Sequence, residues 1–271
     1  MNLTSPSQVK AWCIENDFHP NKTLGQNFLI DRNALESIVD AGLSGIPAAK
    51  VSGSRILEIG PGMGVLTEEM LNRGCRVVAV EKDPVLANRL KASLGDPEGL
   101  EVIAGDALDV IGRFTGPGAP AFEAMVSNLP YQAGTRILLD LVRSRALPAM
   151  TVLVQTEVAE RLAAGPGSKT RGLAGVWTQL DYDVRIVRKV AASCFWPRPE
   201  IGSSVVRLER HDRTVGLSAE ERDLFYRLTK QAFEHRRKQL GSIFKDMIQS
   251  TARAEELSND DWLALVKGLL G

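Results

Sequence analysis

Between residues 51 and 209 short apolar runs alternate with amphipathic stretches, and successive runs end in polar residues. Arg55-Ile56-Leu57-Glu58-Ile59 leads into a glycine turn and then into residues 65–73, whose spacing is helical. Residues 76–80 end in Glu81, residues 100–104 in Gly105-Asp106-Ala107, and residues 121–127 in Asn128-Leu129-Pro130-Tyr131. A fifth run covers 151–155, and residues 158–163 and 173–180 read as helical. Short apolar runs bounded by turn signals are buried strands, and strands spaced by helices assemble as βαβ units in a parallel sheet. Residues 184–190 and 203–208 alternate as two late strands with no crossover helix between them, which predicts antiparallel neighbours.

The flanks have a different pattern. Residues 5–16 predict a helix with Val9, Trp12 and Cys13 on one face. Residues 19–29 are polar and glycine-broken and predict loop, with Gln26-Asn27-Phe28-Leu29 leading into the next helix. Asp31 caps that helix, which runs through Gly42 with Leu35, Ile38 and Val39 as its buried stripe. From Ser218-Ala219-Glu220-Glu221, a capping-box start, helical periodicity continues to Leu270 without strand signals. The boundary near 211–216 divides the chain into an α/β domain over 1–212 and a small helical domain over 213–271.

Composition changes the picture only in places. No apolar run approaches membrane-spanning length and the start lacks a signal-peptide pattern, so a cytoplasmic protein is expected. Cys13, Cys75 and Cys194 are scattered and odd in number, giving neither a disulfide framework nor a zinc spacing. Lys and Arg number 33 against 33 Asp and Glu, which argues against a nucleic-acid partner unless the charge is segregated. The densest basic cluster is His235-Arg236-Arg237-Lys238, read on a helix; lesser groups are Arg143 with Arg145, and Arg185 with Arg188 and Lys189. Such a tetrad is a solvated face by itself and a nucleic-acid contact when coupled to a nucleoside-binding sheet.

The candidate chemistry collects at strand ends. Gly60, Gly62 and Gly64 stand where a side chain would keep the backbone from closing on a ligand. Val65 occupies the third-glycine position of a dinucleotide fingerprint, so that fingerprint is imperfect. Glu81, at the end of the second strand, is where a nucleoside's ribose hydroxyls bind. Asn128-Leu129-Pro130-Tyr131 suits chemistry on an amine conjugated to a ring. An amide oxygen and a backbone carbonyl accepting from its N–H groups favour pyramidal nitrogen, proline aims the carbonyl, and the tyrosine stacks. The structural alternative is a proline turn with Tyr131 as packing.

Taken together, these stretches resemble the KsgA/RsmA family of small-subunit rRNA adenine N6-dimethyltransferases, from Leu24 to about Leu240. The matching segments are Leu24-Gly25-Gln26-Asn27-Phe28-Leu29, Glu58-Ile59-Gly60-Pro61-Gly62-Met63-Gly64, Gly105-Asp106-Ala107 and Asn128-Leu129-Pro130-Tyr131. Further matches are Ala164-Gly165-Pro166-Gly167-Ser168-Lys169, Phe195-x-Pro197-x-Pro199 with Ser204-Val205-Val206-Arg207-Leu208, and Ala232-Phe233 with Arg236-Arg237-Lys238. The resemblance implies an α/β fold: a Rossmann-like class I methyltransferase sheet followed by a helical RNA-gripping domain. It implies S-adenosyl-L-methionine as donor, no metal, and a monomer acting on small-subunit rRNA within an immature ribosomal subunit, away from membranes. The reaction implied is dimethylation of two adjacent adenosines near the 3′ end.

Carried over by position, Gln26, Asn27 and Leu29 would lie against the donor's methionine end, with Gly60 and Gly62 admitting it. Glu81 would hold the ribose diol and Asp106 the cofactor's adenine amine. Asn128, which would also touch the donor, and the Leu129 carbonyl would orient the target N6, Pro130 would fix the turn, and Tyr131 and Phe195 would stack on the flipped base. Lys169, Arg236, Arg237 and Lys238 would meet RNA. The chain departs from the family pattern at Leu24, Gln132-Ala133-Gly134, Arg171-Gly172-Leu173-Ala174-Gly175 and Gly241, chiefly on the target and RNA sides. The competing readings are a large-subunit adenine-N6 methyltransferase of the macrolide-resistance type and a non-catalytic rRNA-binding assembly factor. A hydride-transferring dehydrogenase is the fold-level alternative, disfavoured by Val65 and the Asn-x-Pro-Tyr turn.

Overall fold

A computed structural model describes residues 1–116 and 118–270, with the backbone alone for Lys22 and Asp246. The strands, in chain order, are β1 (Phe28–Leu29), β2 (Arg55–Ile59), β3 (Arg76–Glu81), β4 (Leu100–Ala104) and β5 (Ala124–Asn128). They are followed by β6 (Ala149–Gln155), β7 (Tyr182–Val190), β8 (Phe195–Trp196) and β9 (Ser203–Arg210). Seven of these form one sheet in the order β4-β3-β2-β5-β6-β9-β7. The pairs β2–β3, β3–β4, β2–β5 and β5–β6 are parallel, and β9 runs antiparallel to β6. The strand order reverses beside β2, and open α/β sheets form their ligand crevice at such a switch, outside the carboxyl ends.

Local signals explain the elements. Val and Ile fill β2 and β3 because both faces of a parallel sheet are covered by helices. Asp31 caps helix Arg32–Leu43 by accepting from the Ala34 N–H at 2.7 Å. Ile38 and Val39 of that helix are fully buried in a core shared with Ile56, Val77 and Val126. Helix Val65–Asn72 starts at Gly64, whose φ of +91° suits glycine; a Cβ there would also stand 2.6 Å from the Leu90 side chain.

By packing, the chain falls into two compact units, one of Met1–Ala159 with Arg185–Glu209 and the other of Glu160–Val184 with Arg210–Gly271. The second unit has its own core of Val176, Leu180, Phe225, Leu228, Trp262 and Val266. Its helix Ala219–Glu234 opens on the expected capping box between Ser218 and Glu221. Among the described residues no helix is long and apolar enough to cross a membrane.

Two expectations from the sequence are corrected. Residues 19–29 are not all loop: Lys22–Leu24 is a short 3-10 turn, and β1 pairs antiparallel with β8, Phe28 opposite Trp196 and Leu29 opposite Phe195. Two-residue strands are too short to carry a period, so only distant pairing reveals them. The basic tetrad is not helical either. His235 is the C-cap, and Arg236, Arg237 and Lys238 occupy the turn that follows.

Candidate active site

The crevice opens because two neighbouring parallel strands part. Register between β2 and β5 stops at Leu57 opposite Met125, whereas β2 and β3 stay paired to Ile59 opposite Val80. Past that point the Ile59 N–H donates to the Ser127 hydroxyl at 2.8 Å instead of to a ladder carbonyl. Into the gap turn Gly60 and Gly62, at φ of +69° and +59°, conformations that L side chains disfavour. A Cβ on Gly62 would also press to 3.2 Å from the Phe28 ring.

The acids at the strand ends are anchored by backbone. Glu81 is 6% exposed and accepts from the Gly62 N–H at 2.9 Å and the Asp83 N–H at 2.8 Å. Burial raises its pKa, and those N–H groups pull it back. Asp83 caps helix Pro84–Ser93 and accepts from the Gln26 amide at 2.8 Å, so the Gln26 loop is tied to the Glu81 strand end. Asp106 accepts from the Leu108 N–H at 3.0 Å and from Lys82 Nζ at 2.7 Å. The Lys82 ammonium, more than any other group, holds the Asp106 carboxyl below its usual range. Glu58 differs: at 1% exposure, bonded by the Thr67 hydroxyl at 2.6 Å, it is pushed up to about 8 by burial. The buried site thus favours its protonated form.

The other wall is the turn after β5. The Asn128 amide donates to the Asn27 carbonyl at 3.2 Å, which leaves Oδ1 to accept from a ligand. Leu129 is buried, and its N–H donates to the Leu153 carbonyl at 3.2 Å. Tyr131 is half-buried with its hydroxyl 2.9 Å from Ser203 Oγ, and burial raises its pKa. Gly25, at φ +67°, lets the N-terminal loop approach; a Cβ there would stand 3.2 Å from the Tyr131 nitrogen.

One cleft is thus lined by Gln26, Asn27, Leu29, Gly60, Gly62, Glu81, Asp106 and the whole of Asn128-Leu129-Pro130-Tyr131. Phe195 is not brought to it: its ring is 2% exposed and packs in the core. Lys169, Arg236, Arg237 and Lys238 belong to the second unit, where all but the half-buried Arg236 are exposed. Sequence reasoning missed Lys82, Leu3 and Val9, which line the cleft together with the strand-end acid Glu58. Lys82 follows Glu81 at a strand end, a position that could have flagged it. Nothing local marks Leu3 and Val9, which reach the cleft through their packing with Phe28, Met63 and Leu86.

The cleft fits a nucleoside-bearing cofactor. A glycine turn admits its backbone-facing part, a buried carboxylate at the end of β3 can accept from a ribose diol, and Asp106 can accept from a ring amine. Among the described residues no cluster of three or more His, Cys, Asp or Glu side chains could hold a metal ion. Sheet, turn and cleft together define a Rossmann-like class I methyltransferase.

Comparison with known proteins narrows the class. The family model of ribosomal RNA adenine dimethylases matches residues 17–262. Ribosomal RNA small subunit methyltransferase A of Alkaliphilus oremlandii is 38% identical over 246 residues, covering 88% of this chain and 82% of that protein. The protein of the same name from Deinococcus radiodurans is 40% identical over 245 residues, covering 90% and 79%. In fold, the chain is similar to a dimethyladenosine transferase from Plasmodium falciparum, with TM-score 0.72 and 23% identity over 89% of this chain and 97% of that one. It is also similar to the 23S rRNA methyltransferase ErmE, with TM-score 0.66 and 23% identity over 90% and 100%. The chain belongs to the ribosomal RNA adenine dimethylase family. It is accordingly an enzyme, an rRNA adenine dimethyltransferase.

Proposed function

We propose that this enzyme transfers methyl groups from S-adenosyl-L-methionine to the N6 amines of two adjacent adenosines near the 3′ end of small-subunit rRNA, acting as a monomer on the immature subunit in the cytoplasm. The observation that carries the reading is the single cleft joining Glu81 and Asp106 to Asn128 and Tyr131. Relatives at 38% and 40% identity are named for the small subunit, which favours that substrate over the large-subunit alternative.

Bound in the cleft, S-adenosyl-L-methionine supplies an electrophilic methyl on a sulfonium centre. Glu81 accepts from the ribose diol and Asp106 from the cofactor's adenine amine, while Gln26, Asn27 and Leu29 wall the methionine end. The target N6 is a poor nucleophile because its lone pair is delocalised into the ring. Asn128 Oδ1 and the Leu129 carbonyl accept from its two N–H groups and favour the pyramidal form in which the lone pair is available. The bond from the Asn128 amide to Asn27 keeps Oδ1 as the group that faces the amine. Tyr131 stacks on the flipped base, and its tie to Ser203 fixes the plane of that contact. No strongly basic side chain is needed, because the proton leaves a cationic amine once the new N–C bond has formed. Phe195 joins the stack only if its core contacts open. Arg236, Arg237, Lys238 and Lys169 of the second unit meet RNA.

The test is methyl transfer from labelled donor to immature small subunits, naked small-subunit rRNA and large subunits, with the modified base mapped. Label on paired N6,N6-dimethyladenosines of the small subunit is the expected result. Label confined to the large subunit, or none on any RNA, overturns it.

A further inference from the structure

Residues 1–18 form a strap on the first unit that few hydrogen bonds hold. Helix Pro6–Glu15 opens at Ser5 without a side-chain cap and buries Val9 and Cys13, while Ile14 is exposed. A helix of that length is marginal in water by itself, so this one depends on what it packs against. The bonds of Asn2, Thr4 and Gln8 stay within the segment, as does the one from the Phe18 N–H to the Cys13 carbonyl. Among the described residues, one hydrogen bond joins the strap to the rest of the chain, from Arg89 to Asn16 Oδ1. The loop that follows is tied differently. Gln26 bonds to Asp83 at 2.8 Å, and the Asn27 carbonyl accepts from Asn128 at 3.2 Å.

What holds the strap is apolar contact, and that contact is with the cleft's own wall. Leu3 and Val9 line the cleft and share a buried cluster with Phe28, Met63 and Leu86. Each of those three adjoins the Glu81 corner. The Phe28 ring lies against Gly62, and Met63 follows Gly62, whose N–H meets Glu81 at 2.9 Å. Leu86 stands in the first turn of helix Pro84–Ser93, and the N–H of its cap, Asp83, meets the same carboxylate at 2.8 Å. Trp12 packs edge-on to Phe18, and Phe18 meets Phe28 with ring centroids 6.2 Å apart. Outward movement of the strap therefore uncovers Phe28, Met63 and Leu86 together and opens the cleft beside Glu81.

We propose that residues 1–18 are a detachable wall of the cofactor cleft. The proposal rests on the reading of this cleft as the donor site and adds how that site opens. Closed, Leu3 and Val9 cover bound S-adenosyl-L-methionine and keep water from Glu81. Lifted, they let spent donor out and fresh donor in. Successive methyl transfers need successive donors, so this exchange belongs to every cycle. Segments held by few hydrogen bonds are the ones that open locally, without the rest of the fold.

Hydrogen exchange of the full chain, with and without S-adenosyl-L-methionine, tests the movement. Amides of helix Pro6–Glu15 should exchange at least about tenfold faster than those of helix Val65–Asn72 in the free protein, and slow roughly tenfold with donor bound. A chase of labelled donor by unlabelled donor tests the consequence. Leu3→Ala with Val9→Ala should speed release roughly tenfold and change the association rate by less than about threefold. Ile14→Ala, on the exposed side of the same helix, should release donor at the wild-type rate. Equal protection of the helix with and without donor overturns the wall. So does a double variant that melts earlier yet releases donor at the wild-type rate, which would make the strap a packing element. If the double variant does not fold, Leu3→Ala alone and the exchange data decide. Failure of the donor reading itself looks different, because the wild-type protein would not bind S-adenosyl-L-methionine in calorimetry.

Discussion

The two walls of the cleft hold their polar groups in opposite ways. On the proposed cofactor side, carboxylates are gripped by backbone N–H groups and by an ammonium: Glu81 by Gly62 and Asp83, Asp106 by Leu108 and Lys82. On the proposed target side a neutral amide, Asn128, hangs on one bond to the Asn27 carbonyl, and a phenol on one contact to Ser203. On the proposed reading, the difference follows from what each wall would meet. A ribose diol and a ring amine are donors that a fixed anion binds in ground state and transition state alike. On that reading the target amine would have to turn its lone pair toward the donor, and acceptors on its N–H groups set that geometry.

That contrast breaks most visibly at Asn128. Asn128→Ala should cut methyl transfer by about 100-fold or more, comparable to losing one preorganised transition-state partner, while donor affinity stays near wild type. Single-turnover rates with parallel calorimetry decide; equal losses in both would move Asn128 to the cofactor wall.

Glu58 sharpens the comparison from beneath the cofactor wall, because it is the acid left without a backbone grip. Its pKa of about 8 lies above that of an unfolded glutamate, so the folded state holds a proton that the unfolded chain releases as pH rises. Its contribution is present below the unfolded value near 4.5 and is lost as pH climbs to about 8. Glu58→Gln should therefore gain stability relative to wild type between pH 5 and 8, on the order of 2 kcal/mol. Urea midpoints across pH would measure it, and a difference independent of pH would show Glu58 to be ionised.

A smaller effect is expected at the gripped acids themselves. Glu81→Ala and Asp106→Ala should each weaken S-adenosyl-L-methionine about tenfold by leaving ligand donors unpaired, roughly 1–3 kcal/mol. Calorimetric affinities unchanged in both would remove the cofactor wall. Smallest is Tyr131→Phe, which keeps the stacking ring and gives up the contact to Ser203, costing up to about 1 kcal/mol in the methyl-transfer step. Tyr131→Ala should cost clearly more; a Phe variant as impaired as Ala would mean that the hydroxyl, not the ring, carries the role.

The strands of the sheet were legible because each is a short apolar run with a polar end. Gly60, Gly62, Glu81, Asp106 and Asn128 could be read at those ends for the same reason: a strand's last residue and the turn after it are neighbours in sequence. The helix caps at Asp31 and Ser218 were equally readable, since a cap bonds within three residues of itself. Such features are local, and local chemistry is written in consecutive letters.

Features that depend on distant pairing were not legible. The β1–β8 pair joins two-residue segments from opposite ends of the first unit, and it draws Phe195 into the core, away from the stacking place its motif suggested. Lys82 became part of the site only when β3 and β4 paired and set its ammonium on Asp106. Glu58 reads in sequence as one more acid; the closing of helix 65–72 over its strand removed its water and pushed its pKa up. By itself the sequence determined which groups stand at the strand ends. Which of them are charged, paired or reachable was decided by tertiary structure, because desolvation and long-range pairing exist only after the chain has closed on itself.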